Sequence, residues 1–242
     1  MNINELLAGL RDGVRATQSF MAQLTEYRGG PINTEYLIVG DIARAFLKRH
    51  SVVTVEGLSR KFCNVLTALD TSAARKALKG KRTDIILGDP LSVEAFIEVK
   101  IRIKSYKGIA GDLAKLRDTI DHMTPNRKRS VFGVVVFEMH LKSTKKRFNI
   151  KYFITDVRKF EKKFEADILR NRKNFPQYSL EIKDLMADKI DGIVDREIDE
   201  DIDGTPMWGD NGHATRYYAI IIKHNLHGTP PTSSFAEMKT ER

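Results

Sequence analysis

Two short apolar runs, RTDIIL at residues 82–87 and AFIEVK at residues 95–100, decide how this chain folds. Both are rich in β-branched and other apolar residues, and the Gly-Asp-Pro sequence after the first run is a turn signal, so the pattern predicts two consecutive strands. Alternate residues of a strand point to the same face of a sheet. Glu98 and Lys100 are therefore expected on one face, while the apolar residues that alternate with them pack on the other.

Charged side chains within such apolar strands need compensation, because a charge buried away from water without a partner is costly. A divalent metal ion would compensate Asp84 and Glu98, since carboxylate oxygens are ligands that such ions prefer. The Lys100 ammonium would then lie beside a metal-bound water or a phosphate oxygen. The stretch therefore predicts a metal-dependent phosphodiesterase site. The alternative is a β-hairpin with an ordinary cross-strand charge pair.

The rest of the chain alternates between helical and strand patterns. Apolar residues spaced three and four apart predict helices, and alternating or continuous apolar runs predict strands. Helices are predicted over 4–26, 34–49, 58–78, 110–123, 156–173 and 180–186. Strands are predicted over 51–56, 83–87, 94–100, 131–138, 148–155 and 217–223. This order predicts an α/β fold, with a mixed central sheet flanked by helices.

Composition limits the class of protein. The 242 residues suffice for one domain with a full core, and the net charge of +9 favours a polyanionic partner. A single cysteine, Cys63, excludes an intramolecular disulfide and a cysteine-rich zinc site. The N-terminal residues lack the pattern of a secretory leader, and no apolar run has membrane-spanning length, so the protein is expected in the cytoplasm.

An acid at the start of one strand, followed by Glu-x-Lys near the end of the next, resembles the motif of the PD-(D/E)xK nuclease superfamily. The order helix, three strands, helix, strand resembles the restriction-endonuclease-like αβββαβ core of that superfamily, over residues 34–138. Asp84 stands at the first acid of the motif, Glu98 at the second and Lys100 at the lysine. The departure is Thr83, where the motif has proline.

The resemblance implies a Mg²⁺-dependent DNA endonuclease of the restriction or defence type, in which Mn²⁺ can substitute for Mg²⁺. Asp84, Glu98 and the Val99 carbonyl would hold the metal. Lys100 would orient the attacking water or help to deprotonate it, and would stabilise negative charge. Glu35 would add a further carboxylate from the helix before the strands. Because cutting both strands of a duplex usually requires two such sites, the resemblance also implies a homodimer.

These assignments divide the chain into three segments. Residues 1–30 form an N-terminal helix that is a candidate for oligomerisation, 31–225 form the nuclease domain, and 226–242 form a flexible tail. The nuclease domain carries a basic addition over 100–183, with 22 Lys and Arg against nine acids. It also carries an acidic addition over 184–210, with ten acids against two bases. Contacts with nucleic-acid phosphates would explain the basic segment.

Lys104 and Lys107 follow the Glu-x-Lys strand directly, where the backbone of a bound duplex would lie. Both are therefore predicted to contact DNA phosphates. Two other functions remain open on the sequence. The chain could be a basic nucleic-acid-binding module whose Asp-Glu-Lys cluster is catalytically inactive. It could also be a nuclease effector that needs a ligand or partner, or one that acts on RNA.

Overall fold

The computed structural model of the protein describes residues 1–25, 35–49, 52–58, 81–88, 92–123, 125–142, 150–186, 197–200, 206–209 and 213–225. Its helices are α1 (Ile3–Thr25), α2 (Glu35–Leu47), α3 (Lys107–Asp121), α4 (Pro125–Lys128) and α5 (Ile150–Asn171), and a 3₁₀ turn at Arg172–Asn174 follows α5. Its strands are β1 (Val53–Leu58), β2 (Arg82–Leu87), β3 (Ala95–Lys100), β4 (Phe132–Lys142), β5 (Tyr178–Asp184), β6 (Glu197–Glu200), β7 (Pro206–Gly209) and β8 (His213–His224).

Six strands of the described residues form one mixed sheet in the order β1-β2-β3-β4-β8-β5. β3 and β4 are parallel, and the other neighbouring pairs of this sheet are antiparallel. β6 and β7 form a separate two-stranded hairpin within the acidic segment. The structure confirms the predicted α/β fold with a mixed sheet flanked by helices.

Helices cover both faces of the sheet. Along β3, Phe96 packs into one apolar cluster with α3 and α5, whereas Ile97 and Val99 pack into the other cluster with α1 and α2. Residues 131–139, in the middle of the sheet, are all buried, as predicted for a strand covered on both sides. The parallel step from β3 to β4 needs a crossover, and α3 supplies it on the face of Phe96 and Glu98.

The N-terminal helix α1 belongs to this core. Leu6, Leu10 and Val14 are buried in the same cluster as Ile38 and Ile42 of α2. Each large apolar side chain buried in this way contributes roughly 1.5–3 kcal/mol to stability. A role of α1 in oligomerisation stays a prediction. None of the described helices is long and apolar enough to cross a lipid bilayer.

Two predicted elements are wrong. In its described part, the strand predicted over 148–155 is the start of helix α5, because its apolar residues extend the helical stripe of the charged segment that follows. The helix predicted over 180–186 is mostly strand β5, which pairs with β8. Leu180 and Ile182 alternate with polar residues and pack on the same cluster, which is the period of a strand.

Several predictions fall outside the described residues. They concern the helix predicted over 58–78, apart from its first residue at the end of β1, and the tail over 226–242. Within the acidic segment over 184–210, the structure describes residues 184–186 and the two strands β6 and β7. The division of the chain into an N-terminal helix, a nuclease domain and a tail stays a prediction.

Glycine sets the close approach of α1 and α2. A Cβ at Gly13 would lie 2.5 Å from the Ile42 Cα, which is backbone and has no rotamer by which to move away. A Cβ at Gly40, also within a helix, would meet nothing within 4 Å. The two positions therefore separate the packing effect of a methyl group from its effect on helix propensity.

We expect Gly13→Ala to lower the free energy of unfolding by about 1–3 kcal/mol, because the added methyl group forces the two helices apart. Gly40→Ala should instead raise it by up to about 1 kcal/mol, since alanine is the better helix former. Urea unfolding followed by circular dichroism measures both. An equal stabilisation by the two substitutions would contradict the close packing of α1 on α2.

Candidate metal-dependent active site

The two motif strands separate at the site. The β2–β3 ladder pairs Ile85 with Ile97, and the same register continued by one residue sets Asp84 opposite Glu98. At this point the Val99 N–H donates to the Asp84 Oδ2, over 2.7 Å. The N–H and C=O of a strand residue point to the same side, so the Val99 carbonyl also faces β2. The structure thus brings Asp84 together with Glu98 and the Val99 backbone.

Glu98 is buried, and only one of its two carboxylate oxygens has a hydrogen-bond partner among the described residues. Its side chain is 1% exposed, and its Oε2 lies 2.5 Å from the Nζ of Lys115 on α3. The same Nζ donates to the Arg82 carbonyl over 2.9 Å, so Lys115 bridges β2 and β3. The Glu98 Oε1 is buried without a hydrogen-bond partner among the described residues. An unpaired buried carboxylate oxygen is costly and calls for a ligand or a proton.

The pKa of Glu98 is raised from 4.5 to about 7, mainly by burial and in addition by the charge of the nearby Asp84 carboxylate. The Lys115 ammonium opposes this shift, through its charge and its hydrogen bond. The loss of hydration outweighs the ion pair, because a carboxylate taken out of water is compensated only by complete pairing. Near neutral pH, this carboxyl group is poised between its two protonation states.

Lys100 is surrounded by carboxylates. Its Nζ lies 3.6 Å from the Glu35 Oε2, at the first residue of α2. Burial favours the neutral amine, but the charges of Asp112, Glu35, Asp84 and Glu98 outweigh it and raise the pKa of Lys100 above 10.5. Lys100 is therefore an ammonium ion in this environment. Glu35, the further carboxylate predicted from the preceding helix, reaches the site through this ion pair.

Two residues of α3 belong to the site and were missed by the sequence argument. Lys115 contacts Glu98 directly. Asp112 lies one turn earlier on the same helix, close enough to Lys100, Lys115 and Asp84 for their charges to affect it. Burial is the main cause that raises the pKa of Asp112 from 3.8. Both residues flank the predicted apolar stripe of α3, but that pattern alone does not distinguish a site residue from a solvated one.

These side chains form one group, called here the site cluster. It contains the carboxylates and ammonium groups of Asp84, Glu98, Asp112, Glu35, Lys100 and Lys115. When all six groups are ionised, the four negative and two positive charges leave two negative charges in excess. One divalent cation would neutralise this excess. No three His, Cys, Asp or Glu side chains of the described ranges are arranged to hold a metal by themselves. The predicted ligand set differs from such a triad, because it adds the Val99 carbonyl to two carboxylates.

Lys104 and Lys107 lie next to the cluster in the chain. After β3 the backbone turns at Arg102, which has a positive φ of 55°. The Ile103 N–H then donates to the Glu138 carbonyl over 2.8 Å, which ties the connection to β4. Lys104 and Lys107 follow with exposed side chains, and Lys107 begins α3. Their contact with DNA stays a prediction.

Comparisons with protein-family models, curated proteins and solved structures found no match for this chain. Its function must therefore be argued from the chemistry of the site cluster. At the point where two strands separate, the cluster combines carboxylate oxygens, two ammonium groups and a buried oxygen that has no hydrogen-bond partner in the described part of the chain. This chemistry suits the binding of a hard cation and a phosphate-like anion side by side.

The raised pKa of Glu98 makes a prediction about stability. Because the folded state holds this proton up to about pH 7 and the unfolded state only to about pH 4.5, the contribution of Glu98 to stability falls as the pH rises between these values. Glu98→Gln does not titrate. In EDTA, we expect its stability relative to the wild type to increase by about 3 kcal/mol from pH 4 to pH 8.

Urea unfolding at both pH values measures this difference. Glu165→Gln is the matched control, since Glu165 is a half-buried carboxylate on α5 outside the site cluster. A change of opposite sign for Glu98→Gln would mean that the Lys115 ion pair, and not burial, dominates the state of Glu98.

Proposed function

We propose that this protein is a Mg²⁺-dependent DNA endonuclease of the PD-(D/E)xK type, with a restriction or defence role. One observation carries the proposal. Asp84, Glu98 and Lys100 come together where β2 and β3 separate, and one oxygen of the buried Glu98 has no hydrogen-bond partner among the described residues. A cross-strand charge pair would not by itself require a buried and half-paired carboxylate.

The residues present fit a divalent metal ion. Lys115 bonds the Oε2 of Glu98, and the buried Oε1 lacks a partner within the described part of the chain. Mg²⁺ and Mn²⁺ both prefer oxygen ligands such as carboxylates and carbonyls. Asp84, Glu98 and the Val99 carbonyl would hold the ion, and the net charge of the site cluster suits a single divalent cation.

A bound Mg²⁺ would polarise the scissile phosphate and lower the pKa of a coordinated water. The chain's own groups have separate roles. Asp84 and Glu98 hold the site together, through the Val99 N–H and Lys115 respectively. Lys100, whose pKa the surrounding carboxylates raise, would stabilise the charge that develops on the phosphate oxygens and would orient the water. Glu35 holds Lys100 in position.

The order of elements supports a restriction-endonuclease-like core. Among the described elements, α2, β1, β2, β3, α3 and β4 follow this order with only the short helix α4 between α3 and β4, which matches the helix, three-strand, helix, strand order of that core. β1, β2 and β3 are antiparallel neighbours, and β4 joins β3 in parallel after the α3 crossover. Glu98 lies on the face of the sheet that α3 covers, where Lys115 contacts it, whereas Glu35 joins the site cluster from α2.

The charge distribution supports DNA as the substrate. Residues 100–183 carry 22 Lys and Arg against nine acids, and Lys104 and Lys107, which follow Lys100 in the chain, are exposed. Phosphate neutralisation by such side chains provides affinity without sequence specificity. Since each strand of a duplex needs its own active site, we propose that the protein acts as a homodimer.

Plasmid cleavage tests the proposal. We expect nicking or linearisation with Mg²⁺ or Mn²⁺ and none with EDTA. Asp84→Asn and Lys100→Met should each reduce the rate by about 100-fold or more, because each removes charge that acts on the transition state. Asp118→Asn is the control, since it removes another carboxylate of α3 that pairs with Lys81 outside the site cluster, and it should retain activity.

Other outcomes identify the alternatives. Tight, salt-sensitive DNA binding without cleavage, unaffected by Asp84→Asn, would contradict the proposal and favour a nucleic-acid-binding module. Metal binding that Asp84→Asn abolishes, with no cleavage of plasmid, would indicate a nuclease that requires an activator or an RNA substrate.

Lys104 and Lys107 provide an independent test of DNA binding. The double substitution Lys104→Ala/Lys107→Ala should weaken binding equally across DNA sequences, and it should reduce the slope of log K against log salt by about 1–2. Lys48→Ala is the control, because Lys48 lies beyond the far end of α2 from Glu35, about 20 Å away along the helix. Fluorescence anisotropy at several salt concentrations measures the slopes. Equal slopes for all three proteins would contradict phosphate contacts by Lys104 and Lys107.

A further inference from the structure

The two carboxylate oxygens of Glu98 have different environments. Oε2 accepts a hydrogen bond from the Lys115 Nζ over 2.5 Å, whereas Oε1 is buried and unpaired among the described residues. A carboxylate that is hydrogen-bonded through one oxygen cannot rotate freely about its Cγ–Cδ bond. The bond to Oε2 therefore also fixes the direction of Oε1.

Lys115 is itself held in place. Its Nζ donates to the Arg82 carbonyl at the start of β2, over 2.9 Å, in addition to its bond with Glu98. Its helix α3 is anchored by Leu113 and Leu116, which are fully buried against the sheet. The ammonium thus links a rigid helix to both motif strands, which is the kind of support that keeps a ligand side chain in one geometry.

We propose that Lys115 is a positioning residue for the metal site: it holds Glu98 by Oε2, so that Oε1 is presented to the divalent ion. The inference rests on the proposed function, because it assumes that Glu98 binds a metal. It assigns Lys115 a role separate from that of Lys100, which pairs with Glu35 at 3.6 Å and acts on the phosphate.

The ion pair by itself would be a poor means of stabilising the fold. Two charges taken out of water recover their hydration energy only when every polar atom is paired, and apolar residues of similar volume often stabilise a core as well or better. Here one buried oxygen of the pair is left without a hydrogen bond from the described residues. Coordination of a ligand by Oε1 would supply the interaction that this buried oxygen lacks.

Isothermal titration with Mn²⁺, without DNA, measures the effect on the metal site itself. We expect Lys115→Met to weaken Mn²⁺ binding by about 10–100-fold, which is typical for the loss of a residue that orients a metal ligand. Lys115→Arg, which keeps the charge and the donor groups, should recover most of the affinity. Lys81→Met is the matched control, since Lys81 precedes Arg82 but pairs with Asp118, and its substitution should change little.

A double substitution separates positioning from a general structural role. If Lys115 acts through Glu98, then Lys115→Met should cause no further loss of Mn²⁺ affinity in a Glu98→Gln background. A residue that only stabilises the fold would instead lower the affinity by the same factor in both backgrounds. Thermal unfolding of each variant checks that it is folded at the titration temperature. If Lys115→Met is not folded, Lys115→Gln replaces it and should show the same direction of change.

The outcomes distinguish this inference from the proposed function. If the wild type binds Mn²⁺ and Asp84→Asn abolishes binding, but Lys115→Met binds Mn²⁺ equally or more tightly, then Lys115 is a dispensable or competing cation and only the inference is overturned. If the wild type binds no Mn²⁺ at all, the proposed metal site is wrong. Both the proposed function and the role of Lys115 are then overturned.

Discussion

Burial of the Glu98 carboxyl group is the constraint on which the arrangement of the site depends. The group sits on a central strand at 1% exposure, and burial raises its pKa to about 7. Lys115 bonds one carboxylate oxygen, the other has no hydrogen-bond partner within the described ranges, and the charge of the nearby Asp84 adds repulsion. Burial of this carboxyl group therefore lowers the stability of the fold. Such destabilised sites are commonly functional, because a bound ligand can supply the interactions that the buried group lacks.

The topology explains why these particular side chains meet. The β2–β3 ladder stops after Ile85 and Ile97, which frees the Val99 N–H to bond with Asp84. The parallel step from β3 to β4 requires a crossover element, and α3 provides it above the face that carries Glu98. The crossover between parallel strands thus places α3, with Asp112 and Lys115, over the carboxylates of β2 and β3.

Local patterns of apolar residues predicted most of the helices and strands that surround the site. Strands β2, β3 and β4 and helices α1, α2 and α3 agree with the predictions within a few residues, because their apolar periods are long and regular. The predictions over 148–155 and 180–186 are wrong, since short apolar runs suit a helix or a strand equally and only their partners decide. β5 is a strand because β8 offers it an edge to pair with.

The sequence by itself determined the alternation that sets Glu98 and Lys100 on one face, and the turn that brings Asp84 onto the neighbouring strand, because these follow from the two-residue period of a strand. Only the tertiary structure decided that Lys115 and Asp112 join them, that Glu35 pairs with Lys100, and that one oxygen of Glu98 is held while the other is unpaired among the described residues. Those contacts join residues from separate elements, and their distances depend on how α2 and α3 pack on the sheet. Local sequence patterns contain no record of that packing, because the same charged residues would be equally compatible with a helix face in water.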